Sequence, residues 1–287
     1  MIQFPDDLIF RISRFIDMGV DWILANFRGF FRGFASFINS LFIFFDTIFS
    51  NIPWWVYIII LVFAGWKLYK LQVGILLGSM LFAIGMFGLW DEMIYTLVII
   101  FMSVSASFFF GIPIGILMAK SDRVEGFLKP VLDGMQTMPS FVYLIPAVML
   151  FGLGRVPAVI ATSIYAIPPL IRLTFLGIKN VDKEVVEAGK AFGSTGSQML
   201  FKIELPQAVS TIMTGVNQTT MMAMAMVVIA SMIGADGIGS QVLISIRRLE
   251  VGSGVQAGLA IVFLAIILDR VLQGIAKRFE RTEQLSG

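Results

Sequence analysis

Apolar residues run through this chain in long blocks separated by short polar joints. From residue 53 onward seven blocks stand out, at about 53–66, 71–89, 94–118, 138–153, 156–178, 207–233 and 255–276. Blocks of this length with few charges read as helices that cross a bilayer. The stretch before them has a different pattern. Phe27, Phe30, Phe31, Phe34, Phe37, Ile38, Leu41 and Phe45 recur every three or four positions, while Arg28 and Arg32 share the opposite face beside Gly29 and Gly33. That spacing predicts an amphipathic helix over residues 8–50 with an aromatic face, lying in the membrane interface or packed on protein, and in both cases not spanning. Asn51-Ile52-Pro53 ends it. The expected fold class is an all-α polytopic membrane protein, with about seven spanning helices plus an N-terminal amphipathic helix. The expected parts are an N-terminal region 1–52, peripheral spans over 53–90 and a core over 91–287.

Several blocks carry internal detail. Block 53–66 is short, with Trp54, Trp55 and Trp66 as interfacial anchors and Lys67 and Lys70 able to snorkel. Gly74 and Gly78 have the spacing that lets two helices approach closely. Gly111-Ile112-Pro113 allows a kink near the end of block 94–118. Block 138–153 holds Pro139 and Pro146, and block 156–178 holds Pro168-Pro169 with Arg172 beyond. Broken helices at membrane depth are tolerated where they pack on protein or line a wet cavity, so both readings stand for these two blocks. Arg172, near a block end, is read as snorkelling. Block 207–233 is rich in Met and carries Asn217, Gln218, Thr219 and Thr220, polar groups that need partners in an apolar setting. Gly234 to Gly239 reads as a tight turn; it lacks the lysine and the strand of a phosphate loop.

Composition narrows the function classes. Hydrophobic residues make up 57% and charged residues 14% of the chain, against roughly a quarter charged in soluble domains. A net charge of +2 is too small to point to nucleic acid. There is no Cys and no His, which removes disulfides, thiolate chemistry, the commonest metal ligand and the usual general base. No cofactor is expected on this chain. Asp6 and Asp7, with no basic start before an apolar core, argue against a cleavable signal. The charges in the joints give an orientation. Lys67, Lys70, Lys120, Arg123, Lys129, Lys179, Lys183, Lys190 and Lys202 fall on one side with Lys277, Arg278 and Arg281; Arg155, Arg247 and Arg248 fall on the other. Arg11, Arg14, Arg28 and Arg32 are offset by Asp6, Asp7, Asp17 and Asp21. The positive-inside rule then puts the N-terminus outside and the C-terminus inside, and block 53–66 is the one whose loss would reverse the first of these.

One polar joint is unlike the rest. Residues 182–206 form a helix-competent island between two apolar blocks, which lipid cannot satisfy. Asp182 to Phe192 reads as a helix ended by Gly193 in a left-handed cap. Ser194, Thr195 and Ser197 can start a second short helix, and Pro206 suits the first turn of the next long one. An ordinary surface helix-turn-helix would share these features. The spacing is more specific: Glu187-Ala188-Gly189, Gly193, Ile203, Leu205 and Pro206 resemble the EAA loop of ABC importer permeases, with Gly189 standing where a third small residue, Ala, is usual.

The resemblance extends further. Met135 to Tyr143, Gly215 to Thr219, Val227 to Gly234 and Ile267 to Arg270 are similar to stretches of glycine betaine/proline-type, quaternary-amine ABC importer permeases, over roughly 91–276. It implies a type I ABC importer permease fold in a bacterial plasma membrane. It further implies two copies of the chain forming the pore, two cytoplasmic ATPase subunits carrying Mg-ATP and docked on the coupling loop, and an extracytoplasmic substrate-binding protein. The chain has no G-x-x-x-x-G-K-[ST] loop of its own, so no catalytic site is expected on it. Met138, Phe141, Tyr143, Asn217, Gln218 and Met221 are the residues expected to line the solute pathway. Carnitine, choline, ectoine or an amino acid are alternative solutes, and an ATPase-independent osmotic channel or scaffold is an alternative class.

Overall fold

The computed structural model describes residues 12–286, with side chains from 15 to 278. Asp6, Asp7, Arg11, Arg14 and Arg281, counted in the charge argument, lie outside the described side chains, as does the start of the amphipathic region at residue 8. The described residues are helical throughout apart from short joints. The long helices are α1 (Ile12–Asn51), α2 (Trp54–Leu68), α3 (Leu71–Met86), α4 (Trp90–Lys120), α5 (Asp122–Thr137), α6 (Ser140–Phe151) and α7 (Arg155–Lys179). They are followed by α8 (Lys183–Ala191), α9 (Gly196–Met199), a π turn (Leu200–Glu204), α10 (Leu205–Ala230), a 3-10 turn (Ser231–Ile233), α11 (Ile238–Arg248) and α12 (Val251–Ser286).

The centre is made by α4, α7 and α10, with α12 laid against α10 and α11. Small residues let the axes come together. A Cβ on Gly115 of α4 would stand 2.6 Å from the Thr174 Cβ of α7, closer than carbon atoms approach. The same two helices share a ladder of hydroxyls. Ser103 donates to the Val159 carbonyl at 3.2 Å, Ser107 donates toward the Ser103 and Ser163 carbonyls, and Ser163 donates to Val159. Hydrogen bonds of this kind hold helices where the hydrophobic effect offers little between protein and lipid. The hairpin of α2 and α3 is closed by glycine on both sides: a Cβ on Gly74 would lie 2.2 Å from the Val62 carbonyl, and one on Gly65 would lie 2.5 Å from the Gly74 Cα. Its turn rests on α12, where Tyr69 donates to the Arg270 carbonyl at 3.1 Å.

Several expectations change. Block 156–178 is not broken: α7 runs unbroken through Pro168 and Pro169, both buried, so these prolines are packing residues. Block 138–153 is not one span. Its helix α6 has 12 residues, about 18 Å at 1.5 Å per residue, and is bent by 99° from α5. Helix α5 lies between two of the apolar blocks and is polar on average, so it carries no block of its own. Its signal was available as Val124, Leu128, Leu132 and Met135, which meet Met118, Ile171 and Phe175. Arg172 does not merely snorkel; it is bonded to Asp133 of α5 at 2.5 Å. Lys179 similarly reaches Glu125 at 2.6 Å, so α5 lies antiparallel to the end of α7.

Among the described residues five helices are long and apolar enough to cross a membrane, or six if α5 and α6 form one broken span. One of the five is the section of α1 from Phe15 to Asn51, which the sequence pattern placed in the interface. Its contacts run across three helices in turn. Phe31 and Phe34 meet Phe151 of α6, Asn39 accepts from Arg155 of α7 at 2.7 Å, Phe42 meets Tyr95 of α4, and Phe45 and Phe49 meet Phe101. By length and hydropathy this section is able to cross a membrane, which departs from the non-spanning helix that the sequence pattern predicts.

Candidate functional site: the coupling loop and the helix walls above it

The joint 182–206 folds from its own sequence. Asp182 caps α8 by accepting from the Glu184 N–H at 2.9 Å. The helix ends on Gly193 with φ +76°, the Gly193 N–H reaching the Lys190 carbonyl at 2.9 Å and the Ser194 N–H reaching Gly189 at 3.0 Å. These two bonds make a Schellman cap, which needs a left-handed residue at this position. Thr195 then opens α9 with a reciprocal capping box: its hydroxyl accepts from the Gln198 N–H at 3.3 Å, and the Gln198 side chain accepts from the Thr195 N–H at 2.8 Å. Of the three residues expected to start this helix, Thr195 is the one that caps it.

The second helix is not separate from the third. Chain geometry continues from α9 through the π turn into α10, which begins with Pro206 in its first turn. The extra residue of a π turn removes one backbone bond locally and suits a proline that has no N–H to give. Gly189 is the buried contact between α8 and this turn. A Cβ there would stand 2.7 Å from the Ile203 Cδ1 and 2.9 Å from the Met199 Cε. Met199 and Ile203 therefore fill the volume an alanine methyl would take, and the departure from E-A-A has a packing reason. Glu187, Ala188 and Pro206 are exposed, whereas Leu205 packs on the cluster of Ile178, Ala208 and Ile212.

Two features here were not read from the sequence. Phe192 is 91% exposed and Phe201 is 67% exposed, so the tip presents aromatic rings to whatever covers it. An exposed aromatic next to a helix-ending glycine is visible in sequence as Phe192-Gly193. Glu204, between the motif residues Ile203 and Leu205, is buried with 6% exposure and pairs with Lys120 at the end of α4. A buried carboxylate needs such a partner. No local pattern could have found this pair, since 84 positions separate its members.

The residues expected to line a pathway fall into two groups. Tyr143 is buried, donates to the Met135 carbonyl at 2.5 Å and meets Tyr165 edge-on at 5.5 Å; it bridges the bend between α5 and α6. Asn217 donates to Asp269 of α12 at 3.0 Å, and Gln273 donates to the same oxygen at 2.7 Å. The Asn217 carbonyl oxygen is buried without a partner among the described residues. The remaining residues are open. Met138 and Phe141 are exposed on the bend and on α6, Gln218 is exposed on α10, and Met221 is partly so. Gln218 belongs to an uncovered line on α10 that also includes Thr214 and Ala225. The Thr214 hydroxyl is satisfied by the Ser210 carbonyl at 3.2 Å, whereas the Gln218 amide on this 26-residue helix cannot face lipid without loss.

A family model described as "Binding-protein-dependent transport system inner membrane component" matches residues 111–282. The chain belongs to that family. The match spans α5 through most of α12 and includes all of the joint 182–206. Similar curated relatives agree. The glycine betaine/proline betaine transport system permease protein ProW of Escherichia coli (strain K12) is 42% identical over 93% of this chain and 75% of its own length. The glycine betaine transport system permease protein OpuAB of Bacillus subtilis (strain 168) is 44% identical over 92% and 94%. The glycine betaine/carnitine transport permease protein GbuB of Listeria monocytogenes is 46% identical over 93% and 96%. Among solved structures, the inward-facing MetNI methionine ABC transporter aligns with TM-score 0.57 at 19% identity, covering 66% of this chain and 92% of that one. An amino acid ABC transporter with histidines aligns with TM-score 0.54 at 20% identity, covering 67% and 92%. These two establish the fold: this permease has the type I ABC importer architecture. As an inner membrane component of that family it is a multi-pass subunit of an ABC importer.

Proposed function

We propose that this permease moves glycine betaine, proline betaine or a related quaternary-amine solute into the cell, driven by ATP hydrolysis on a partner subunit. The observation that carries the reading is the coupling loop: a doubly capped, stiff island with exposed aromatic residues at its tip, in a chain whose relatives are named for these solutes. The complex has two copies of the chain, two cytoplasmic ATPase subunits holding Mg-ATP, and an external binding protein. Glu187, Ala188, Gly189, Gly193, Ile203, Leu205 and Pro206 carry the coupling. The loop is cytoplasmic, the N-terminus external and the C-terminus internal. A swing of the pore from about 1:99 to 99:1 takes roughly 5.5 kcal/mol of differential binding, and a stiff loop transmits that without absorbing it.

The solute passes between the uncovered faces of α6 and α10. Met138, Phe141, Gln218 and Met221 face it, while Tyr143 and Asn217 stand behind and hold the wall. Aromatic faces attract a methylated cation weakly, by about 0.5–2 kcal/mol, which suits a site the solute must leave. The test is reconstitution of the permease, its ATPase and its binding protein in proteoliposomes, with uptake of labelled glycine betaine, choline, carnitine and an amino acid. ATP-dependent uptake of a quaternary amine supports the reading. Uptake of the amino acid alone, or solute flow without the ATPase, overturns it.

A further inference from the structure

At the end of the molecule away from the coupling loop, a cavity of about 320 Å³ opens between α1, α4, the joint 152–154 and the joint after α10. Asn39, Tyr95, Arg155 and Asp236 line it, together with Gly154 and Gly234. Its position follows from the chain: Arg155 begins α7, and the coupling loop follows the end of the same helix.

The cavity holds one full charge of each sign, and they do not satisfy each other. Neither Arg155 nor Asp236 is in an ion pair among the described residues. Arg155 is fixed from behind. Its Nε donates to the Asn39 side-chain oxygen Oδ1 at 2.7 Å, and its guanidinium lies 4.9 Å from the centre of the Phe42 ring. Those contacts use one face and one N–H, which leaves the four N–H groups of the terminal nitrogens. The charge also stands in an unfavourable place, at the positive end of a 25-residue helix that no side chain caps. A carboxylate in the cavity would meet the guanidinium and the uncapped first turn together, and would relieve both. Asp236 is an exposed carboxylate in the same lining, held by the joint that starts at Gly234 with φ +82°. The Tyr95 ring lies in the wall beside it. A carboxylate and an aromatic face together attract a cation that cannot donate hydrogen bonds.

We propose that this cavity is a binding site for a small zwitterion: its carboxylate on Arg155 and its quaternary ammonium between Asp236 and Tyr95. Its volume is at the lower end of small-molecule sites, which fits a molecule with the two charges only a few bonds apart. The site is separate from the α6 and α10 faces and lies at the external mouth, where solute arrives first. The identity of the zwitterion rests on the importer reading above.

Saturation-transfer NMR on the permease–ATPase complex in nanodiscs, without binding protein, tests the site directly with glycine betaine as the probe. Magnetisation should pass to the N-methyl protons of glycine betaine. The signal should be lost in Arg155→Gln and in Asp236→Asn, and choline and acetate, each with one of the two charges, should give none with the wild-type complex. Asp236→Asn keeps the side-chain shape at an exposed position, so the test does not depend on Arg155→Gln folding. An unchanged signal in Asp236→Asn, equal signals from choline, or no signal from the wild type overturns the proposal. So does a loss confined to docking of the binding protein, read as a weaker affinity for that protein with the glycine betaine signal intact. Uptake of glycine betaine by the same complex in proteoliposomes, with the binding protein added back, tests the importer reading on its own, so the two fail independently.

Discussion

The coupling loop and the α6–α10 wall are built in opposite ways. In the loop, nearly every stabilising contact is made within a few positions: Asp182 to Glu184, Gly193 to Lys190, Thr195 to Gln198. In the wall, the polar residues reach far along the chain or across a bend: Asn217 to Asp269, Tyr143 to Met135, and Lys120 to Glu204 where loop and wall meet. The difference suits the roles proposed above for the two. A part that takes a push from a partner keeps its shape best when its shape is local. A wall that opens and closes needs contacts that can be exchanged, and it leaves Phe141 and Gln218 uncovered.

Changes that strike the local geometry of the loop should therefore do the most. Gly193→Val places a β-branched residue at φ +76°, a strain of about 1–3 kcal/mol concentrated in the cap. Uptake should be lost while the protein still inserts, as read by transport and membrane abundance; normal uptake with normal ATPase stimulation would break the comparison. Next comes the joint between loop and wall. Glu204→Ala leaves Lys120 without its partner, and because that lysine is 41% exposed and can turn to water the loss should be only about 0.5–1.5 kcal/mol. Solute moved per ATP should fall, and the double exchange Lys120→Glu with Glu204→Lys should recover part of it.

The wall gives smaller effects that separate holding from lining. Tyr143→Phe removes the bond across the bend and should lower stability by about 0.5–1.5 kcal/mol, seen as an earlier thermal transition with the order of solute preference unchanged. Phe141→Ala and Gln218→Ala should do the reverse, shifting relative uptake rates at constant stability. If Tyr143→Phe alters preference and Phe141→Ala does not, the division of the wall is wrong. Smallest is Gly189→Ala, where only the flexible ends of Met199 and Ile203 must move. Transport close to normal is expected.

The same contrast explains what could be read in advance. The caps of α8 and α9 were legible because Asp182, Gly193 and Thr195 act on neighbours a few residues away. Blocks 94–118, 156–178, 207–233 and 255–276 were legible as spans because bilayer thickness acts on composition, whereas 53–66 and 71–89 form the shorter helices α2 and α3 and 138–153 holds only the 12-residue α6. The α5 helix was not, since its polar average hid the apolar line from Val124 to Met135 that packs on α4 and α7. Pro168 and Pro169 misled for a related reason: a proline suggests a break, but packing on both sides keeps α7 continuous. Of the pathway residues, Tyr143 and Asn217 were chosen by side-chain type. Type shows that a polar group needs a partner; only the fold shows that the partner is Met135 or Asp269.

The central claim is that the tip of residues 182–206 is where the ATPase engages. The chain has no cysteine, so one introduced thiol reports from one place. Phe192→Cys, carrying a thiol-directed photo-crosslinker in the assembled complex, should capture the ATPase subunit. Leu153→Cys, 75% exposed at the far end of the molecule, should not. Capture of the ATPase from position 153, or from neither position in a complex that hydrolyses ATP, would contradict the account.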